Sequence, residues 1–99
     1  GTSKRHYAPR TPFHIWSNQN LTTEDGVLLF GTPVPDGADH VWDLSDDPIQ
    51  AGKRLYAALR EMDQSHLQNL YVVLPKQDNP PPADWLPITD RLRRATQSG

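Results

Sequence analysis

Four histidines, five serines and a close set of aspartates are the side chains of this 99-residue chain best suited to chemistry. His6, His14, His40 and His66 stand far apart, without the short paired spacings that hold zinc. Ser3, Ser17, Ser45, Ser65 and Ser98 have no nucleophile-elbow context around them. Asp43, Asp46 and Asp47 are near enough to share a divalent cation, and equally suited to ending a strand and capping a helix. The six glycines are scattered and form no phosphate-cradling loop. Without cysteine, a disulfide, a thiolate nucleophile and a thiolate metal site are excluded. On these residues alone no catalytic residue, no cofactor contact and no metal ligand is assigned.

The elements that would position any site come from patterning. The chain is one domain by length, and a domain this small buries a modest core. Hydrophobic residues are 35% of the chain and mean hydropathy is -0.71, yet the apolar residues are clustered. Pro12–Ser17 mixes β-branched and aromatic residues and predicts a first strand. Gly26–Gly31 is a short apolar run between glycines, the pattern of a strand buried on both faces of a parallel sheet. His40–Leu44 and Asn69–Leu74 predict two more strands, the last stopping at Pro75. Between them, Pro48–Gln64 predicts a helix capped by Ser45, Asp46 or Asp47, with Pro48 at its first position. Its apolar face is read as Ile49, Leu55, Tyr56, Leu59 and Met62, with Ala51 and Ala58 nearby. A second helix runs from Ala83 or Ile88 to Thr96, its basic end complementing the helix dipole.

Strand, long helix, strand is a βαβ unit, which implies parallel pairing and a right-handed crossover. The link from Gly31 to Asp39 is short for a parallel crossover, so it turns back or crosses without a helix. The expected fold class is therefore α/β: a small Rossmann-like domain, three-layer or incompletely so, with about four mostly parallel strands and two main helices. Ten prolines fall at segment edges, and Asn79–Pro82 predicts a stiff polyproline connector or a ligand for a proline-reading domain. Trp16, Trp42 and Trp85 read as core anchors, Trp85 alternatively as an exposed partner contact beside the prolines.

Charge is uneven along the chain. Lys4, Arg5 and Arg10 open it without an acid, whereas Glu24 to Asp47 carries acids and neither Lys nor Arg. The net charge of -2 excludes a strongly basic nucleic-acid binder; Arg91, Arg93 and Arg94 at most reach a few phosphates. No apolar run approaches the roughly 18 residues of a membrane span, and no signal-peptide pattern is present.

Three words then stand out in order: GTSKRHYAPRTP at Gly1–Pro12, LYAALREMD at Leu55–Asp63 and ITDRLRRA at Ile88–Ala95. Together they resemble the C-terminal domain of two-domain threonylcarbamoyl-AMP synthases. In that family a linker reading like SPGMKYRHYAP follows a YrdC-type catalytic domain and precedes an α/β domain with LFAALRELD and NDRLRRA. The resemblance covers nearly the whole chain. Thr2, Ser3 and Lys4 depart from the linker word, and Thr89 stands where the family has Asn before the aspartate. The chain opens inside the linker word, as a domain cut from a longer protein does.

The resemblance implies a division into an interdomain linker arm, residues 1–11, and an accessory domain, residues 12–99. It implies that ATP, magnesium and threonine are handled by the YrdC-type catalytic domain of the same polypeptide, so this chain alone is no enzyme. It implies a cytoplasmic part in tRNA modification, with no membrane and no direct nucleic-acid contact. Arg5, His6, Tyr7 and Pro9 match the linker that gates the catalytic pocket: Arg5 suits a phosphate or carboxylate, and His6 and Tyr7 suit hydrogen bonds to it. Asp90, Arg91 and Arg94, in the third word, are candidates for an interdomain or purely structural contact, Asp90 as a cap or as a bridge to Arg94 four residues on. Two other readings remain at this stage: a stand-alone nucleotide-binding module using the crevice at its strand ends, and a protein-interaction module using the proline run and the basic helix.

Overall fold

Residues 25–29 read Asp-Gly-Val-Leu-Leu, and every one of them is buried. A strand dry on both faces belongs in the middle of a parallel sheet, and that is where the computed structural model, which describes residues 8–75 and 82–97, places it. The strands are β1 (Phe13–Ile15), β2 (Asp25–Leu29), β3 (His40–Asp43) and β4 (Asn69–Val72). Their spatial order is β1-β4-β2-β3, and all three pairings are parallel. The helices are α1 (Pro48–Asp63) and α2 (Leu86–Gln97), the latter entered through a single 3-10 turn at Ala83–Trp85. The fold is α/β, as the patterning predicts.

The strands flanking α1 do not pair with each other. β3 and β4 lie on either side of β2, and α1 carries the chain over β2 between them. The expected βαβ unit is present, with β2 inserted into it. Regular strand structure is also shorter than the apolar runs, but the ladder continues past it: Trp16 N–H donates to the Val72 carbonyl and Val73 N–H to that of Leu28.

Alternation assigns the faces. Phe13 pairs with Leu70, Ile15 with Val72, and Leu28 with both Val72 and Trp42, so these side chains share one face. They form one cluster with Ala51, Leu55, Ala58, Leu59 and Met62 of α1 and Ile88, Leu92 and Ala95 of α2. Both helices therefore cover the same face. Phe30 and Trp85 meet edge to face at 5.8 Å between ring centres, which makes Trp85 a core anchor.

Val27 and Leu29 point the other way and are just as fully buried. The links from β1 to β2 and from β2 to β3 cross the sheet in the opposite sense to the link through α1. Right-handed crossovers therefore carry them over the opposite face. Neither contains a helix. The two links touch, the Gly37 backbone lying against the Leu21 carbonyl. The short Gly31–Asp39 segment thus crosses without a helix, and one of the three layers is made of irregular chain.

α1 starts as its sequence dictates. Asp47 is the N-cap, its carboxylate accepting from Ile49 N–H, and Pro48 follows. The buried positions Ala51, Leu55, Ala58, Leu59 and Met62 define its inner face. Ile49 and Tyr56 correct the expected one. At about 100° per residue they lie on a shared flank, roughly 130° round from the centre of that face. Ile49 is accordingly 66% exposed and Tyr56 only half-buried, the Arg60 guanidinium lying 5.6 Å over its ring.

Two glycines are required by close approach. A Cβ on Gly26 would meet the ends of the Leu67 and Trp42 side chains at 2.8 and 3.0 Å. On Gly31, at φ +76°, it would meet Asp46 Cβ at 2.7 Å and the Asp46 nitrogen at 3.0 Å. Side-chain tips can yield and backbone cannot. We expect Gly31→Ala to destabilise by about 2–4 kcal/mol, from left-handed strain plus overpacking, and Gly26→Ala by about 1–2 kcal/mol. Urea unfolding midpoints of the two variants test that order.

Candidate functional site

The chain enters the sheet through residues 8–12. Ala8 packs at the margin of the core, and Pro9 is half-buried. Arg10 N–H donates to Asp63 Oδ2 at 3.1 Å, and Thr11 N–H to Asp63 Oδ1 at 2.9 Å. The Thr11 hydroxyl donates to the same Oδ1 at 2.8 Å. Pro12 then passes its carbonyl to Leu70 N–H at 2.8 Å, which sets the register of β1 on β4. Asp63 is the last residue of α1, so one carboxylate ties Arg10 and Thr11 to the end of the long helix. Arg5, His6 and Tyr7 lie outside the described residues, as does most of the Asn79–Pro82 run.

The candidates in the last helix occupy another place. Asp90 and Arg94 form an ion pair at 3.2 Å, both side chains more than 60% exposed. Arg91 lines an open groove with Pro48, Ile49 and Lys53 of α1 and Asp84 and Ile88. That groove lies at the start of α1 and the arm is held at its end, about 20 Å away along 16 helical residues. The structure therefore does not bring Arg91 to Pro9. Thr89, at the position of the family's Asn, returns its hydroxyl to the Trp85 and Leu86 carbonyls.

The crevice at the carboxyl ends of β2 and β3 is where an open α/β sheet takes a nucleotide. Here the chain's own groups fill it. Gly31 N–H donates to Asp43 Oδ1 at 2.8 Å, and Asp46 lies directly over Gly31. The Ser45 hydroxyl accepts from Asp47 N–H at 3.0 Å, and the Asp47 carboxylate caps α1. An incoming phosphate would meet these carboxylates where a nucleotide site presents free N–H groups. Of the three acids that suited a cation, Asp43 and Asp47 are engaged by backbone donors and Asp46 lies over Gly31. Among the described residues no group of three or more His, Asp or Glu side chains is placed to hold a metal ion. Nor is any helix among them long and apolar enough to cross a membrane.

A third group lies on the face away from the helices. The His14 and Tyr71 rings are 5.5 Å apart, in register across β1 and β4. Asp25 is buried at the head of β2, diagonal to Tyr71, and accepts from Thr22 N–H at 2.9 Å and the Thr22 hydroxyl at 3.2 Å. Burial, and then the Asp25 charge, push the Tyr71 phenol above its ordinary value of 10.0. This set lies near the start of the sheet, with His14 exposed and Tyr71 half-buried.

Asp63 is the residue that sequence reasoning overlooked. The signal was present: an acid closing a helix runs against the helix dipole, and such a choice calls for a partner elsewhere.

Fold and surface together define a small all-parallel α/β domain in which Arg10 and Thr11 are tied to the end of the long helix. The chain belongs to the threonylcarbamoyl-AMP synthase C-terminal domain family, whose profile matches residues 1–97. No curated protein and no solved structure matches it. The resemblance read from the three sequence words is thereby the family itself.

Two outcomes follow from this geometry. Arg94→Ala, which removes an exposed pair, should change unfolding free energy by less than about 0.5 kcal/mol. Tyr71 should ionise above pH 10.0 when phenolate absorbance is compared with that of Tyr71→Phe, and Asp25→Asn should lower its pKa. Because the folded state prefers the neutral phenol, this contribution to stability is complete below the ordinary pKa. It is lost as pH rises through the raised one.

Proposed function

We propose that this domain is the accessory half of a threonylcarbamoyl-AMP synthase. In this reading a YrdC-type catalytic domain of the same polypeptide joins threonine, bicarbonate and ATP into threonylcarbamoyl-adenylate and pyrophosphate. That is a nucleotidyl transfer, and its product goes on to modify an adenosine in tRNA in the cytoplasm. ATP and magnesium belong to that catalytic domain. In this reading the chain takes no part in their chemistry, and the Asp43 and Asp47 carboxylates at its strand ends accept from its own backbone.

The role of this chain is to hold the linker arm, residues 1–11, so that Arg5, His6, Tyr7 and Pro9 close over the catalytic pocket. Closing a pocket over an acyl-adenylate keeps water from hydrolysing it. The supporting observation is that the family match spans arm and fold as one unit, and the base of the arm is built into that fold by the Ala8 packing and the Asp63 bonds. The filled crevice at Gly31 and Asp43 weighs against the alternative of a stand-alone nucleotide-binding module. The proline run on which the protein-interaction alternative rests lies mostly outside the described residues.

Pyrophosphate release with threonine, bicarbonate and ATP tests this. The chain alone should release none above background. Joined through its arm to a YrdC-type catalytic domain, it should raise the yield of intact adenylate over that of the catalytic domain alone. Turnover by the chain alone, or an adenylate yield indifferent to its presence, would overturn the reading.

A further inference from the structure

We propose that Asp63 is the positioning residue of the linker arm, fixing the place and direction of its base at Arg10 and Thr11. This rests on the reading of residues 1–11 as a gate and adds the device that aims it.

The bonding pattern is selective. Pro9 and Pro12 have no N–H, so Arg10 and Thr11 supply the only backbone donors between Pro9 and Pro12. Both go to Asp63, one to each carboxylate oxygen. Two consecutive N–H groups on the two oxygens of one carboxylate fix a segment's orientation as well as its position, as bidentate recognition does elsewhere. The Thr11 hydroxyl adds a third bond to the same oxygen as its own N–H. The prolines on either side restrict the backbone further, since each disfavours the helical region for the residue before it. Ala8 on one side and the Pro12–Leu70 bond on the other complete the seat.

The position of the acid carries the argument further. An aspartate at the last residue of a helix faces the negative end of the dipole, where a basic residue is favoured. Arg60, the basic residue of that last turn, lies over the Tyr56 ring. A locally unfavourable choice offset by bonds to residues 52 and 53 positions away is the mark of a tertiary or functional constraint. β1 already has its own ladder and the packing of Phe13 to hold it. The clamp lies upstream of both, on the arm itself.

Amide exchange and enzyme coupling separate this role from a merely structural one. In the chain alone, Asp63→Ala should cut protection of the Arg10 and Thr11 amides by about tenfold or more, the scale of a hydrogen bond to a charged acceptor. Asp63→Asn should keep part of the Thr11 protection, because one acceptor oxygen remains. In the chain joined to a YrdC-type catalytic domain, Asp63→Ala should release several-fold more pyrophosphate per intact adenylate recovered, with Asp63→Asn partly rescuing the ratio. The β1 and β4 amides should stay protected in both variants. Lost amide protection with an unchanged ratio would overturn the positioning role and leave Asp63 a structural tie. Unchanged protection would overturn the clamp itself. A joined wild-type chain whose ratio equals that of the bare catalytic domain would overturn the gate reading, and the role with it, and that failure shows before any variant is made.

Discussion

Asp25–Leu29 is buried along its whole length, so both faces of the sheet around β2 have to be kept dry. In a longer chain helices would do this on each side. Here α1 and α2 share one face, and the two links that cross the other have no helix to offer. They manage with irregular chain held close, which explains where the sequence is constrained. Gly37 stands against the Leu21 carbonyl with φ at +85°, and Gly31 turns under Asp46 at +76°. Prolines at 33 and 35 stiffen the second link. The domain keeps the all-parallel order of a larger fold while losing the length that would make its third layer regular.

That economy has a consequence at the strand ends. In an open α/β sheet the crevice beyond the strands is left free for ligands by the loops on either side. When a link must cross in a few residues, its turn cannot stand away from the sheet. Gly31 is drawn down onto Asp46, and Asp43 reaches back to satisfy the Gly31 N–H. The same residues that close the turn close the crevice. The acidic stretch from Glu24 to Asp47 is, at its carboxyl end, a set of capping groups for a fold short of chain.

The sequence made the strands and α1 legible because their signals are local: a β-branched run ended by Pro75, an aspartate and a proline opening a helix. It also gave the absence of a helix between Gly31 and Asp39, since length alone decides that. The insertion of β2 between β3 and β4 was not legible, because parallel pairing leaves no trace in either partner's pattern. Ile49 and Tyr56 are apolar enough to read as part of the inner face, but their helical angles set them on a flank away from Leu55 and Met62. Trp85 was open to both readings until Phe30 was seen against it. Asp63 went unread for a different reason. Its partners are backbone N–H groups of Arg10 and Thr11, which have no identity in a sequence.

With the strand ends closed by the chain's own carboxylates, the far end of the long helix is the place where the N-terminal residues meet the domain. α1 is seated on the core by Leu55, Leu59 and Met62, and the Asp63 carboxylate follows directly on the fully buried Met62. Two amides caught by that carboxylate are tied to the same helix end. The prolines that bracket those amides remove every competing donor, so the capture does not depend on a particular side chain at position 10. Thr11 is the exception, its hydroxyl doubling the bond its backbone already makes. On the proposal above, a fold whose strand ends are closed by its own carboxylates acts on a pocket elsewhere through the arm held at the end of α1.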